Sequence, residues 1–192
     1  MDEFHTIDWN APIDVEALTR LVPANARVKG VFFHTAVKEA QEKTGRAPGR
    51  PSYGALTDYP SEELVRVLAE CARLLHPDLT LKLALRTLGR RVFENLKETT
   101  AGTFLFSVAG RNVRSAFKLV NRAYKLFSTN GTGSFVEGTD GSVTIELRNI
   151  WTFPDAYHIG IFEGAMAAYG AKADLTVRRR SACDVDLRVV FS

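Results

Sequence analysis

The chain has 192 residues, of which 45% are hydrophobic and 24% are charged, as in ordinary globular proteins that fold as one well-cored domain. No run of residues approaches the roughly 18 apolar positions that a membrane span requires, and the acidic N-terminus, MDEFHTIDWN, lacks the basic and apolar regions of a signal peptide. The only two cysteines, Cys71 and Cys183, lie far apart and indicate no disulfide framework, so we expect a cytoplasmic protein without membrane association.

Charge is distributed unevenly along the chain, although the formal net charge is only +3. Residues 1–27 carry five acidic and two basic side chains, whereas residues 78–127 carry ten basic and three acidic ones. An asymmetry of this kind attracts anionic partners when the basic residues share one surface.

Helical periodicity predicts four helices in the first half of the chain, at Ile13–Val22, Val28–Thr44, Ser61–Leu75 and Asp78–Leu96. Asp14 and Ser61 are the expected N-caps, and Gly45 is expected to end the second helix with a positive φ. The proline- and glycine-rich stretch 46–59 is predicted to be a loop, and the apolar stretch 102–110 one or two buried helical turns.

An amphipathic helix is predicted at Arg111–Phe127. One side of this helix is apolar and consists of Val113, Phe117, Val120, Tyr124 and Phe127. The opposite side is basic and consists of Arg111, Arg114, Lys118, Arg122 and Lys125.

The periodicity changes to two after Phe127, which predicts strands at 134–137, 142–149, 173–177 and 185–191. Asp140-Gly141 is a strong hairpin signal between the first two strands. A helix at 154–169 separates the second pair, and Gly160 and Gly164 are expected to let it lie close to the sheet. The predicted fold is therefore α+β, with a helical N-terminal half packed on a four-stranded antiparallel sheet that has one crossover helix.

The sequence contains no recognisable catalytic or metal-binding motif. The four histidines lie in separate segments without the spacing of a zinc site, and there is no nucleophile elbow, phosphate-binding glycine loop or pair of catalytic carboxylates. We therefore expect no enzyme activity, no metal and no cofactor. His158 shares an apolar helical stripe with Phe162 and Met166, which is typical of a core or cavity position.

Two segments resemble parts of haem-nitric oxide/oxygen binding (H-NOX) domains: Val28-Lys-Gly-Val-Phe-Phe-His34 is similar to their opening helix, and Tyr157-His-Ile-Gly-Ile-Phe-Glu-Gly164 to a helix near their end. A closer resemblance is to a family of myxobacterial paralogues of unknown function. It rests on Val22-Pro23, Lys29-Gly-Val-Phe-Phe33, Asp58-Tyr-Pro60, Ala84-Leu-Arg-Thr-Leu-Gly-Arg90 and Gly160-Ile-Phe-Glu-Gly164. The resemblance implies an N-terminal extension with a short helix at 1–27 and a single H-NOX-like domain at 28–192.

The resemblance does not extend to the residues that hold haem in H-NOX domains. Those domains supply an axial histidine from the helix that corresponds to Arg111–Phe127, which contains no histidine and has Tyr124 near that position. Their Tyr-x-Ser-x-Arg motif for the haem propionates corresponds to Arg148, Ile150 and Thr152. The resemblance therefore implies an H-NOX-like fold without haem.

The favoured hypothesis is a haem-free sensory or signalling domain with a small apolar cavity, which either takes a small hydrophobic ligand or has collapsed into ordinary core. The candidate cavity residues are Phe33, Ala36, Phe117, Val120, Tyr124 and His158. The alternative is an adaptor that docks an acidic protein through Arg111, Arg114, Lys118, Arg122 and Lys125. A nucleotide or nucleic-acid binder comes third, because no aromatic residue accompanies the basic face to stack on bases.

Overall fold

The front half of the molecule is helical. The structure is a computed structural model that describes residues 3–98, 103, 110 and 112–192, so Arg111 and most of the stretch 102–110 lie outside the described residues. The first elements are α1 (Val15–Leu21), β1 (Arg27–Lys29), α2 (Val31–Thr44), β2 (Asp58–Pro60), α3 (Ser61–Leu75) and α4 (Leu81–Glu98).

Two of the four predicted helix ends are confirmed. The Asp14 carboxylate accepts a hydrogen bond from the Ala17 amide at 2.8 Å, and Gly45 ends α2 with a φ of 73°. Ser61 is not an N-cap, because its own amide donates to the Ala26 carbonyl at 3.0 Å and the cap position falls on Pro60. Asp78 does not begin its helix either, since α4 starts at Leu81.

A short antiparallel ladder replaces the predicted start of the second helix. Val28 lies in β1, where it pairs with Tyr59 of β2, and the helix begins only after Gly30. The Gly30 amide donates to the Thr57 carbonyl at 2.9 Å. Three-residue strands are too short for an alternating sequence pattern to distinguish them from a helix start.

The predicted helix Arg111–Phe127 is divided into α5 (Val113–Lys118) and α6 (Val120–Phe127). Leu119 interrupts it with a φ of −86° and a ψ of 0°, and its amide reaches back only three residues, to the Ala116 carbonyl. The two short helices follow one another along the chain and are separated by this one residue.

The second half forms an antiparallel sheet with strand order β3-β4-β6-β5. Its strands are β3 (Thr132–Glu137), β4 (Val143–Arg148), β5 (Ala173–Arg179) and β6 (Val185–Phe191), and the crossover helix α7 (Tyr157–Ala168) joins β4 to β5. Gly141 closes the β3–β4 hairpin with a φ of 78°. The predicted fold class is therefore confirmed.

The crossover helix α7 packs backbone to backbone against α4. A Cβ atom on Gly160 would meet the Arg86 carbonyl and lie 3.0 Å from the Arg90 amide nitrogen, and one on Gly89 of α4 would meet the Tyr157 carbonyl. Gly164 likewise faces Arg90. The expectation that these glycines face the sheet is wrong: glycine spacing indicates a close neighbour but does not identify it.

Two clusters of buried side chains form the core, one among α1–α4 and one between the sheet and α5–α7. The helices α4 and α7 each contribute some residues to the first cluster and others to the second. The N-terminal segment packs on this body. His5 pairs with Val177 at the free edge of β5, and the Trp9 carbonyl accepts a hydrogen bond from the Thr80 hydroxyl at 2.6 Å. No helix among the described residues is long and apolar enough to cross a membrane.

Candidate functional site

A largely apolar cavity of about 140 Å³ lies where α5, α6 and α7 meet α2, α3 and the end of β4. Apolar side chains of the three later helices form most of its wall: Phe117, Leu119, Val120, Ala123, Phe127, Ile161, Phe162 and Ala165. Phe32 and Leu64 close the opposite side, and Ser128, Asn130 and Asn149 also line the cavity. None of the described side chains around the cavity is an Asp, Glu, Lys or Arg.

His158 is the centre of the polar contacts at the cavity. The Tyr124 hydroxyl lies 2.5 Å from its Nδ1, and the Thr152 hydroxyl lies 2.7 Å from its Nε2. His158 is only 5% exposed, and this burial lowers the pKa of its imidazole to about 3. The ring is therefore neutral near pH 7, and its one donor and one acceptor nitrogen are both engaged.

Burial acts in the opposite direction on the tyrosine partner. Desolvation raises the pKa of the Tyr124 phenol far above its usual value, since a buried phenolate would lose its hydration. The pair is therefore an uncharged hydrogen-bonded unit, in a cavity whose described lining carries no Asp, Glu, Lys or Arg.

The connection between β4 and α7 carries Trp151 and Thr152 to the cavity wall. It is bounded by two non-glycine residues with positive φ, Asn149 at 56° and Phe153 at 58°. Asparagine tolerates this conformation, but a bulky aromatic residue adopts it at a cost of about 1–3 kcal/mol. Phe153 is held there because its side chain is buried (1% exposed) and its carbonyl accepts the Ala156 amide at 3.1 Å.

The structure brings four of the six predicted cavity residues together: Phe117, Val120, Tyr124 and His158. Phe33 and Ala36 are buried but do not line the cavity. Phe33 faces the other side of α2, where it stacks on Tyr53 with ring centroids 4.2 Å apart. Its neighbour Phe32 takes the cavity position, because consecutive helical residues point about 100° apart.

Sequence reasoning missed Phe32, Trp151, Thr152 and Tyr157 as cavity residues. Phe162 was recognisable from the stripe that it shares with His158, and Phe32 from the apolar pair at the start of α2. Thr152 was singled out only as the counterpart of a haem-binding position, and nothing in the sequence marks Trp151, which lies between the left-handed residues Asn149 and Phe153.

The predicted basic face is partly engaged within the chain. The Arg114 guanidinium donates to the Gly141 carbonyl at 2.6 Å and lies over the Phe191 ring. Lys118 pairs with Glu137 at 3.2 Å. Arg122 and Lys125 are exposed on α6, and Arg111 lies outside the described residues.

The described residues contain no cluster of three or more His, Cys, Asp or Glu side chains that could hold a metal ion. Cys71 and Cys183 are both buried and unbonded to each other. Burial raises the pKa of the Cys71 thiol to about 12, so this sulfur is a poor nucleophile near neutral pH.

A family model described as "Protein of unknown function (DUF2378)" matches residues 21–191, and no curated protein matches the sequence. Among solved structures, the H-NOX protein from S. oneidensis in the Fe(II)NO ligation state is similar, with a TM-score of 0.67 and 14% identity over 85% of this chain and 99% of that one. The Fe(II) unliganded H-NOX protein from K. algicida has a TM-score of 0.65 and 13% identity over 85% and 96%. These likenesses confirm the H-NOX-like fold.

Proposed function

Because the chain belongs to the DUF2378 family of proteins of unknown function and has the fold of H-NOX proteins, we propose that it is a haem-free sensory or signalling domain that binds a small hydrophobic ligand. The observation that carries this proposal is the apolar cavity between α5, α6 and α7. The low cysteine content and the free state of both cysteines support a cytoplasmic location.

The size of the cavity supports the haem-free part of the proposal. A volume of about 140 Å³ lies below the ~300–1,000 Å³ of sites that take drug-sized ligands and cofactors. It is comparable to the engineered cavity of ~150 Å³ that binds benzene. A space of this size suits a small hydrophobic molecule better than a macrocycle.

The polar groups also fit haem poorly. Both ring nitrogens of His158 are hydrogen bonded, and the raised pKa of Tyr124 disfavours the phenolate that would bind iron. Arg148, at the first position of the motif that binds propionates in H-NOX domains, is held by Asp186 at 2.6 Å. Ile150 and Thr152 at the other two positions offer no positive charge.

The proposal assigns no reaction to the chain. Catalysis at the cavity would need an ionisable group whose pKa suits proton transfer near neutral pH. The lining residues that the structure describes include no charged side chain, and the low pKa of His158 makes it a weak base.

Native mass spectrometry and absorption spectroscopy of the purified protein test the proposal. We expect the mass spectra to show the protein bound to a co-purified or added molecule of benzene-like size, and the absorption spectrum to show no Soret band. Ala165→Leu fills the cavity from α7 and should abolish binding of benzene, while Ala168→Leu, at an exposed position of the same helix, should not. A Soret band would refute the haem-free state, and benzene binding to Ala165→Leu with unchanged affinity would refute the cavity as the site.

A second candidate function is an adaptor for an acidic protein, which the exposed Arg122 and Lys125 on the outer side of α6 favour. Reversing both charges to glutamate should then remove the partner from a pull-down. Arg73→Glu, at an exposed position of α3, provides the matched control. An unchanged set of captured proteins would exclude the adaptor.

A further inference from the structure

A second cleft, of about 700 Å³, lies between α4, α7, the N-terminal segment and the start of β5. The residues of α7 that line this cleft are Glu163, Gly164, Met166 and Ala167, and none of them lines the apolar cavity. The volume of the cleft falls within the ~300–1,000 Å³ of sites that take drug-sized ligands. The cleft therefore has room for a small organic molecule, at a place distinct from the cavity.

Two arginines of α4 saturate the Glu163 carboxylate at this cleft. The Arg86 guanidinium donates to both carboxylate oxygens, at 2.7 and 2.5 Å, and the Arg90 Nε donates to one of them at 2.9 Å. Arg86 is also fixed from its other side, because its guanidinium lies 4.3 Å from the centroid of the Trp9 ring. Two positive charges thus share one negative charge, which leaves the charge of Arg90 only partly compensated.

Arg90 and Lys172 carry the accessible positive charge of the cleft. Half of the Arg90 side chain is exposed, and its two terminal amino groups bond to no described residue. Lys172 is exposed at the turn after α7 and forms no ion pair with any residue that the structure describes, Asp174 included. The described lining contains three basic and two acidic side chains, so its net charge is positive.

The remaining wall of the cleft is mostly apolar, and its apolar residues are Ile7, Met166, Ala167, Ala171, Ala173 and Leu175. A bare inorganic anion would leave this surface in contact with water, whereas an anion with an apolar body covers it. A guanidinium recognises a carboxylate or phosphate through two parallel hydrogen bonds. The cleft therefore combines the two surfaces that an amphipathic anion requires.

We propose that this cleft binds a small organic anion, whose carboxylate or phosphate group is held by Arg90 and Lys172 and whose apolar body lies against the apolar wall. The N-terminal segment completes the site. His5 exchanges two backbone hydrogen bonds of 2.9 Å with Val177, which holds the following residues, Ile7 among them, beside β5. The site is independent of the ligand-binding function proposed for the cavity.

Benzoate and benzamide are matched probes, because they share size and shape and only benzoate is charged near neutral pH. Titration calorimetry should show that the wild-type protein binds benzoate about tenfold more tightly than benzamide, the equivalent of about 1.4 kcal/mol. Added salt should weaken the binding of benzoate and leave that of benzamide unchanged. In a Trp151→Phe background, the fluorescence of Trp9 should change along the same binding curve.

Charge removal tests the two cations separately. Arg90→Gln should weaken benzoate about tenfold, as the loss of one charge-assisted hydrogen bond does. Lys172→Gln should weaken it about threefold, because the ammonium is exposed. Arg90→Gln also breaks a bond to Glu163, so its melting temperature is compared with that of Lys172→Gln, which breaks no ion pair within the described part of the chain. Arg73→Gln, at an exposed position of α3, is the matched control and should leave benzoate affinity unchanged.

Added bulk tests the location of the site. Ala167→Leu narrows the cleft and should weaken benzoate, whereas Ala168→Leu adds the same bulk at an exposed position of α7 outside the described lining and should not. Ala165→Leu, which fills the apolar cavity, should also leave benzoate affinity unchanged.

Three results would each overturn the anion site: equal affinities for benzoate and benzamide, unchanged benzoate affinity in both charge variants, and loss of benzoate binding in Ala165→Leu. The binding of benzene to the cavity does not depend on Arg90 or Lys172. The proposal for the cleft and the proposal for the cavity therefore fail separately.

Discussion

Gly160→Ala tests the close contact of α7 with α4. Helix propensity alone favours alanine over glycine by about 1 kcal/mol. The new Cβ, however, would lie 3.0 Å from both the Arg86 carbonyl carbon and the Arg90 amide nitrogen, and closer still to the Arg86 carbonyl oxygen. These are backbone atoms that cannot rotate away, so the helices must separate, at the upper end of the ~1–3 kcal/mol that overpacking costs. We expect a net destabilisation of about 2 kcal/mol.

Urea unfolding followed by circular dichroism measures this change, which corresponds to a fall of ~4–8 °C in Tm for a chain of this size. Ala167→Gly, at an exposed position of α7, isolates the propensity term and should destabilise by about 1 kcal/mol. Because propensity and steric contact predict opposite signs for Gly160→Ala, a variant as stable as the wild type or more stable would refute the steric argument.

Three further predictions concern buried polar groups. The lowered pKa of His158 means that the unfolded state binds more protons than the folded state below about pH 6.5. The free energy of unfolding should therefore decrease as the pH is lowered, by about 2 kcal/mol between neutral pH and about pH 5. His158→Gln should flatten this pH dependence in urea titrations, and an equal pH dependence in variant and wild type would contradict the assignment. Lys82→Met leaves the carboxylate of Asp155, now 2.8 Å from the ammonium, without its main partner, and should cost about 3 kcal/mol of unfolding free energy, part of which Lys82→Met combined with Asp155→Asn should restore. Tyr53→Phe removes a hydroxyl that donates to Glu63 at 2.9 Å and should lower the unfolding free energy by about 1–2 kcal/mol; an unchanged urea midpoint would show that this bond contributes nothing.

The sequence predicts the regular parts of this fold well, because burial imposes a period on long elements. Alternation in β4 places Val143, Ile145 and Leu147 on the buried face, and the Asp140-Gly141 turn follows from the positive φ that only certain residues adopt. The irregular parts carry no such signal. The break at Leu119 occurs without a glycine or proline to mark it.

The candidate site is less predictable than the fold. Tyr124 and His158 could be placed on inward-facing helical stripes, but their mutual contact depends on how α6 and α7 cross, which is a tertiary property. Phe32 lines the cavity and Phe33 does not, because adjacent residues of α2 point about 100° apart and the sequence does not show which of the two faces it. Trp151 reaches the cavity from a connection in which Phe153 is left-handed, a conformation that no sequence preference for phenylalanine suggests.

The interruption at Leu119 lies in the wall of the cavity itself, because Leu119 lines the cavity and joins two helices of six and eight residues. The opposite arrangement holds for α4 and α7, which are in direct backbone contact at their glycines. Because α6 carries Tyr124 at the cavity and Lys125 at an exposed position, adjacent residues of one short helix contact the interior and the surface.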